Sequence, residues 1–288
     1  MKRIGVVGAG VMGSGIAYLA AQQGFEVIQY DSLEGAVARS HETAEKRLDK
    51  HVESGKMTFE ERNRVRERLT VANDLTAFRT VDAVIEAVVE ILDVKVSLFQ
   101  ELDRIVPEGG LLATNTSSLS ITAIAQGTKR PEAVVGLHFF NPAPVMKLIE
   151  IVRGEETSEA TVVKAQELAR ELGKETIVVQ KDTPGFVVNR ALMPLFIEAM
   201  RMLEEGVATA EDIDKGVRLG LNHPMGPLTL ADFTGLDVDL HVMDYMFNEF
   251  HDDRFAAPLV LRRLVRAGHT GKKSGRGFYR YTPTKPTK

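Results

Sequence analysis

The first thirty-one residues constrain the fold more than any other stretch, because a glycine-rich turn stands between two apolar segments. Residues 3–7, RIGVV, form a short apolar run typical of a β-strand, and residues 14–24, SGIAYLAAQQG, have helical spacing that ends at a glycine. A second strand pattern follows at residues 25–31, FEVIQYD. This order predicts a βαβ unit rather than a secretory signal or a membrane span, since glycines interrupt the apolar run throughout.

The turn has the spacing Gly8-x-Gly10-x-x-Gly13, which is typical of dinucleotide-binding sites when a strand precedes it and a helix follows. The first glycine makes the tight turn, the second lets the backbone approach a pyrophosphate, and the third lets the helix pack on the strand. The phosphates would lie on the helix N-terminus, where N–H groups and the helix dipole favour anions. We therefore expect Val11 and Met12 to contact the cofactor together with the three glycines.

Asp31 ends the second predicted strand. A carboxylate at this position bonds the adenosine ribose hydroxyls of NAD and would repel the 2′-phosphate of NADP. The next residue is Ser32, so no arginine follows that could accept such a phosphate. The sequence therefore predicts NAD as the cofactor.

Further apolar runs at residues 82–88, 110–114, 133–139, 147–152 and 176–180 alternate with helical segments. Near-continuous apolar strands are typical of a parallel sheet that is covered on both faces. After residue 183 only helical patterns remain. We predict an α/β, Rossmann-like, doubly wound and mostly parallel sheet over residues 1–184, followed by an all-helical domain over residues 185–288.

Residues 35–69 interrupt the sheet pattern with a polar helical hairpin, broken at residues 54–57. Thr58 and Glu61 form a capping box that starts its second helix. The hairpin has more basic than acidic side chains, although the whole chain has a net charge of −4. The segment is either a solvated helix pair or a binding surface for an anionic substrate, and the charges alone leave both hypotheses open.

Composition excludes several classes of site. A net charge of −4 gives no basic field for nucleic acid, and the absence of cysteine excludes a disulfide framework and a thiolate nucleophile. The histidines show no HExxH spacing, so no metal site is expected. The terminal segment TPTKPTK has no folding pattern, and the cysteine-free chain fits a reducing compartment such as the cytoplasm.

Polar residues follow the predicted strands where ligands bind in open α/β sheets, at the carboxyl ends. One strand ends near Glu86 and Glu90, the next is followed by the segment NTSS at residues 115–118, and a third ends at His138. A histidine in the apolar run GLHFF is either a satisfied core residue or a catalytic base, and its position at the strand end keeps the second hypothesis open.

Several segments together resemble the 3-hydroxyacyl-CoA dehydrogenase family, and most closely its stand-alone bacterial 3-hydroxybutyryl-CoA dehydrogenases. They are GAGVMGSGIA, EAVVE, NTSSLSI, GLHFFNPAPVMKLIEIV, TPGFVVNR, NHPMGPLTLADFTGLD and KKSGRGFY. The resemblance extends from residue 1 to about residue 281, and the block at residues 136–152 is its most specific part.

The resemblance implies that His138 is the catalytic base, that Glu150 is its partner, and that Ser117 and Asn189 hold the reacting oxygen and the imidazole. It also implies cofactor contacts beyond those of the glycine-rich turn, namely Glu90, Lys95, Asn115, Ser117 and His138. Ser40 or a neighbour, Lys50 and Lys56 lie in the hairpin that the family uses for coenzyme A. By itself, Glu150 could equally be a solvent-facing strand residue.

The family's activity implies an NAD-dependent oxidoreductase that interconverts (S)-3-hydroxyacyl-CoA and 3-oxoacyl-CoA. The short-chain pair 3-hydroxybutyryl-CoA and acetoacetyl-CoA is the expected substrate, and a cytoplasmic homodimer without membrane or nucleic-acid partners is the expected assembly. Two alternatives are a same-scaffold dehydrogenase of a hydroxy or sugar acid without CoA, and a non-catalytic protein that keeps the fold. The first would not need the basic hairpin, and the second would not need Ser117, His138, Glu150 and Asn189 together.

Overall fold

The computed structural model of the chain describes residues 1–281 and divides into two compact units, Met1–Thr183 and Pro184–Lys288. The predicted pattern-free tail, residues 282–288, lies outside the described residues. No helix of the described chain is long and apolar enough to cross a membrane.

The first unit is built on one eight-stranded sheet with the strand order β3-β2-β1-β4-β5-β6-β7-β8. Neighbouring strands are parallel except for the β6–β7 pair, which is antiparallel. The strands are β1 Arg3–Val7, β2 Glu26–Tyr30, β3 Leu69–Val71, β4 Ala83–Glu86, β5 Leu111–Thr114, β6 Val134–Phe139, β7 Leu148–Arg153 and β8 Glu175–Val179. The predicted α/β class with a mostly parallel sheet is confirmed.

The first unit also contains six α-helices and short 3₁₀ turns. The helices are α1 Val11–Gln22, α2 Ala36–Glu53, α3 Phe59–Glu67, α4 Leu92–Ile105, α5 Ile121–Ala125 and α6 Glu159–Glu171. The predicted capping box is present, because Glu61 N–H donates to Thr58 Oγ1 at 3.2 Å and Thr58 N–H donates to Glu61 Oε2 at 2.8 Å. These reciprocal bonds satisfy two helix-terminal donors and fix where α3 begins.

The predicted hairpin, residues 35–69, consists of α2 and α3, but its last residue already belongs to β3. The sequence pattern did not predict this strand. β3 has only three residues, two of them exposed, and pairs along one side with β2 at the sheet edge. A strand this short and exposed has no apolar pattern, so only its pairing partner shows it.

The core of the first unit lies between the sheet and its helices. Ile4 and Val6 of β1, Ile16 of α1 and Ile85 of β4 are fully buried in one apolar cluster. Strands covered on both faces lose nearly all their apolar surface to the core, which explains why the sequence shows continuous rather than alternating apolar runs. This packing fixes the carboxyl edge of the sheet, where β1, β4, β5 and β6 end side by side.

The second unit is helical, with isolated β-bridges near its C-terminal end. Its helices are α7 Val188–Glu204, α8 Ala210–Gly220, α9 Pro227–Thr234, α10 Leu236–Phe250 and α11 Leu259–Arg266. Asp232 accepts N–H bonds from Phe278 and Tyr279, each at 2.9 Å, and Tyr279 Oη donates to Asp214 at 2.9 Å. The segment KKSGRGFY is thereby anchored onto the helices by buried carboxylates.

Candidate active site

The glycine-rich turn joins β1 to α1, and its shape depends on missing side chains. Gly8 has φ +108°, and a Cβ there would lie 2.3 Å from the carbonyl oxygen of Ala87. A Cβ on Gly13 would lie 2.2 Å from the carbonyl oxygen of Gly8. Both positions therefore require glycine, because the backbone itself fills the space that a side chain would occupy.

Gly10 differs from its two neighbours, since a Cβ there would meet no protein atom within 4 Å. It is the N-cap of α1, and no side chain caps the helix N-terminus. The first turn of α1, which includes Val11 and Met12, therefore presents backbone N–H groups beside open space. This cradle fits the pyrophosphate of a dinucleotide, which needs both close backbone approach and N–H donors.

Asp31 directly follows β2, in contact with the same turn. Its Oδ2 accepts a hydrogen bond from Ala9 N–H at 2.7 Å, and its Oδ1 accepts one from Leu33 N–H at 2.8 Å. These bonds fix the carboxylate at the edge of the glycine-rich cradle. Each carboxylate oxygen has a second lone pair that can accept a ribose hydroxyl.

His138 and Glu150 face each other across the antiparallel β6–β7 pair, where they are direct partners in the register. His138 Nδ1 lies 2.7 Å from Glu150 Oε2, and the two residues are 5% and 0% exposed. The His138 ring also contacts the Phe140 ring, with 4.5 Å between centroids. A carboxylate only accepts hydrogen bonds, so Nδ1 is the donor and the neutral imidazole has its lone pair on Nε2.

Glu90 holds the beginning of the loop after β5. Glu90 Oε1 accepts bonds from Thr116 Oγ1 at 2.6 Å and Ser117 N–H at 2.9 Å, and it lies 3.4 Å from Ser117 Oγ. Asn115 Oδ1 accepts from Phe139 N–H at 2.9 Å, which ties this loop to the end of β6. Ser117 and the strand that carries His138 are thus held in one connected network at the carboxyl edge.

Lys95 lies in α4 and is 1% exposed. Its Nζ is 2.6 Å from Glu86 Oε1 and 3.3 Å from Glu90 Oε2. Burial raises the pKa of Glu90, but Lys95 and the hydrogen bonds from Thr116 and Ser117 outweigh it and hold that pKa below its usual value. Glu86 was predicted only as a strand end, although an acid in a fully buried strand indicates a buried partner.

The hairpin has nine basic and seven acidic side chains between residues 35 and 69. Three of the basic residues form ion pairs with Glu or Asp, namely Lys46, Arg62 and Arg66. Lys50 and Lys56 are exposed, and neither forms an ion pair within the described chain. Ser40 instead is buried and donates to Gln29 Oε1 at 3.0 Å, so it faces β2 rather than the hairpin surface.

Asn189 belongs to the second unit, in the first turn of α7. The first unit therefore brings together Ser117, His138, Glu150 and the glycine-rich turn at the carboxyl edge of one sheet. Chemically, this edge offers a dinucleotide cradle, an imidazole oriented by a carboxylate, and the Ser117 hydroxyl on the loop that follows the neighbouring strand β5. Such a set can move a proton to or from an oxygen atom next to a bound nicotinamide.

Comparisons with known proteins cover nearly all of the described chain. The model for the 3-hydroxyacyl-CoA dehydrogenase NAD binding domain matches residues 3–183, and the model for the C-terminal domain of the same family matches residues 185–281. A 3-hydroxybutyryl-CoA dehydrogenase of Mycobacterium tuberculosis is 46% identical over 282 residues, which cover 98% of this chain and 99% of that protein.

Two further relatives extend the comparison. A 3-hydroxyadipyl-CoA dehydrogenase of Escherichia coli K12 is also 46% identical, over 97% of this chain and 59% of that protein. The crystal structure of an (S)-3-hydroxybutyryl-CoA dehydrogenase from Ralstonia eutropha superposes with a TM-score of 0.93 at 42% identity, covering 98% of this chain and 99% of that one.

Proposed function

This chain belongs to the 3-hydroxyacyl-CoA dehydrogenase family, and on that premise we propose how its own residues carry out the reaction. It is an NAD-dependent oxidoreductase that interconverts (S)-3-hydroxyacyl-CoA and 3-oxoacyl-CoA. Relatives of equal identity are named for a four-carbon and a six-carbon acyl group. We assign the short-chain pair 3-hydroxybutyryl-CoA and acetoacetyl-CoA because the resemblance to the stand-alone four-carbon enzymes spans the full length of both chains.

The dinucleotide site consists of the glycine-rich turn, the first turn of α1 and Asp31. These residues would hold NAD, and the chemistry that the bound cofactor would supply is hydride transfer from and to C3 of the substrate. The open space at Gly10 and the uncapped N-terminus of α1 support this assignment. Glu90, Lys95 and Asn115 complete the cofactor side of the site, with Lys95 acting from its buried position through Glu90.

The buried pair of His138 and Glu150 is the observation that carries the proposal. In alcohol oxidation, His138 Nε2 takes the proton of the 3-hydroxyl as a general base. Glu150 holds the Nδ1 proton in place and stabilises the imidazolium that forms. In ketone reduction, the imidazolium returns the Nε2 proton to the oxygen. General acid–base catalysis of this kind contributes about 10²–10⁴-fold.

Ser117 and Asn189 have the supporting roles. We assign the Ser117 hydroxyl to the reacting oxygen, since Glu90 and the bond between Asn115 and Phe139 hold its loop beside the His138 strand. Asn189 is assigned to the same oxygen and to the imidazole on the strength of the TPGFVVNR resemblance. Together they keep the oxygen oriented while the proton moves.

Coenzyme A carries a 3′-phosphate and a pyrophosphate, and we assign its recognition to Lys50 and Lys56. Their exposed ammonium groups, without ion-pair partners in residues 1–281, support this role. The double variant Lys50→Gln/Lys56→Gln should raise KM for acetoacetyl-CoA more than it lowers kcat, because it removes ground-state binding. Lys46→Gln is the matched control, since Glu42 already pairs with Lys46 at 2.7 Å.

The substrate class is tested by comparing kcat/KM for acetoacetyl-CoA, the acetoacetyl N-acetylcysteamine thioester and free acetoacetate, each with NADH. We expect the CoA ester to be the best substrate, with an advantage that shrinks as salt screens the phosphate contacts. Equal kcat/KM for all three would contradict the CoA assignment. It would instead favour a same-scaffold dehydrogenase of a hydroxy or sugar acid without CoA.

We also propose that the chain acts as a cytoplasmic homodimer through its second unit. Leu219, Leu221, Phe233 and Leu259 of that unit are 55–66% exposed, which supports an apolar contact surface there. The absence of cysteine fits a reducing compartment. Light scattering after size-exclusion chromatography should give twice the 31.7 kDa chain mass, and a single-chain mass at all concentrations would contradict the dimer.

A further inference from the structure

Two carboxylates and one ammonium group lie together behind the loop that carries Ser117. Glu86 ends β4 and is 0% exposed, Lys95 is 1% exposed, and the Glu90 side chain is 29% exposed. The cluster has one more negative than positive charge. Ionised side chains are buried like this only when their partners are fixed, so each member depends on the geometry of the others.

Glu86 accepts short hydrogen bonds on both of its carboxylate oxygens. Its Oε1 accepts from Lys95 Nζ at 2.6 Å and from Val88 N–H at 2.7 Å, and its Oε2 accepts from Thr114 Oγ1 at 2.6 Å. Thr114 ends β5, so Glu86 connects two adjacent strands at their carboxyl ends. The carboxylate therefore has no freedom to move, and it determines where the Lys95 ammonium lies.

Glu90 is held more loosely on the Lys95 side. The distance from Lys95 Nζ to Glu90 Oε2 is 3.3 Å, compared with 2.6 Å to Glu86. The other Glu90 oxygen, Oε1, accepts the short bonds from Thr116 Oγ1 and Ser117 N–H. Glu86 thus holds the Lys95 ammonium 3.3 Å from Glu90 Oε2. At this distance the other Glu90 oxygen keeps its bonds to the Ser117 loop.

We propose that Glu86 is a positioning residue for the reaction: by holding Lys95, it sets the place of Glu90 and, through Glu90, the place of the Ser117 hydroxyl. This inference rests on the proposed role of Ser117 at the reacting oxygen. Glu86 touches neither the reacting atoms nor the loop beyond Val88 in this scheme. Its effect on the rate is transmitted mainly through the two charged side chains, and Thr114, which donates to Glu86 and accepts from Thr116 N–H at 3.2 Å, supports the same loop from the end of β5.

The test begins with Glu86→Gln, which keeps the side-chain shape and removes the charge. Lys95 then has one carboxylate to neutralise, so Glu90 moves toward it and its bonds to the Ser117 loop lengthen. We expect kcat for acetoacetyl-CoA reduction to fall by about tenfold to a hundredfold, the range for a displacement of about 1 Å at a reacting group. An unchanged kcat would overturn the proposal.

A second variant separates positioning from folding. Glu86→Gln/Lys95→Met removes the buried ion pair as a unit, and such replacement restores much of the stability that a single change loses. The thermal unfolding midpoint should return toward that of the unmodified protein, while kcat stays at least about tenfold low because Glu90 has lost its fixed cation. Recovery of kcat together with the midpoint would show a merely structural pair and overturn the proposal.

Asp103→Asn is the matched control. Asp103 Oδ1 pairs with Arg130 Nε at 2.8 Å, largely buried, in the same unit but away from the Ser117 loop. This variant should lower the unfolding midpoint and leave kcat unchanged. If Asp103→Asn lost kcat in proportion to its loss of stability, the effect of Glu86→Gln would be explained by stability alone, and the proposal would be overturned.

Failure of the proposed function would look different. If the unmodified protein did not reduce acetoacetyl-CoA, or if His138→Gln kept its full rate, the catalytic scheme itself would be wrong. An active protein that depends on His138 but tolerates Glu86→Gln would refute only the positioning role.

Discussion

Replacing Glu150 by Gln should slow catalysis through His138 while leaving the fold intact. Gln has the same shape, and the position is fully buried, so packing is preserved. The lost contact is a 2.7 Å hydrogen bond to a carboxylate. Hydrogen bonds to charged groups are worth about 1.5–3 kcal/mol, and each 1.36 kcal/mol is a factor of ten in rate, so kcat should fall by about ten- to a hundredfold.

The amide adds a second effect. If its NH₂ faces Nδ1, the neutral imidazole must hold its proton on Nε2 and can no longer accept one from the substrate hydroxyl. Alcohol oxidation would then fall further than the hydrogen-bond energy alone requires.

The assay is a double-mutant cycle measured as kcat in both directions, with thermal unfolding of every variant as the folding control. If Glu150 acts through His138, then Glu150→Gln should cost little or nothing in a protein that already carries His138→Gln. Equal losses of rate in both backgrounds would refute this reasoning, because Glu150 would then act independently of the imidazole.

The other predictions concern the cofactor site and the second unit. Because of Asp31, kcat/KM with NADH should exceed that with NADPH by about tenfold or more, and an equal or higher value with NADPH would contradict the ribose contact. Gly10→Ala should keep the unfolding midpoint and weaken NADH binding, whereas Gly13→Ala should lower the midpoint, because only a Cβ at position 13 meets backbone atoms. Calorimetry measures the midpoints and titration with NADH measures the binding. Identical behaviour of the two variants would contradict the assignment of Gly10 to the cofactor cradle. Burial raises the pKa of Asp239 to about 8, so the folded protein holds a proton that the unfolded chain releases near pH 4. The free energy of unfolding should therefore fall as pH rises from about 4 to about 8. Asp239→Asn should remove this pH dependence, which is measured by urea unfolding of the variant and the unmodified protein at pH 5 and pH 8. The same difference between the two pH values in both proteins would contradict the role of Asp239.

The beginning of the chain was predictable from sequence because its constraints are local. The glycine spacing, the strand before it and the helix after it are contiguous, and the contact between Gly13 and the Gly8 carbonyl spans only five residues. The capping box at Thr58 is local in the same way. The fold class followed because buried parallel strands leave continuous apolar runs whatever their order in the sheet.

Features that depend on pairing between distant segments were not predictable. Glu150 could have faced solvent, and only the register of β7 against β6 brings it to His138. The partner of Lys95 is Glu86, nine residues earlier across a strand end and a helix start, and the sequence pattern shows no link between them. β3 was not predicted for the same reason, because only its hydrogen-bonded pairing with β2 identifies it as a strand.

The most direct test of the account is the rate of NADH oxidation by saturating acetoacetyl-CoA in the His138→Gln variant, measured beside its NADH dissociation constant. General acid catalysis by His138 predicts a rate lower by about 10²–10⁴-fold with an NADH dissociation constant that stays the same. A variant that binds NADH normally and keeps nearly the full rate would contradict the assignment of His138 as the residue that moves the proton.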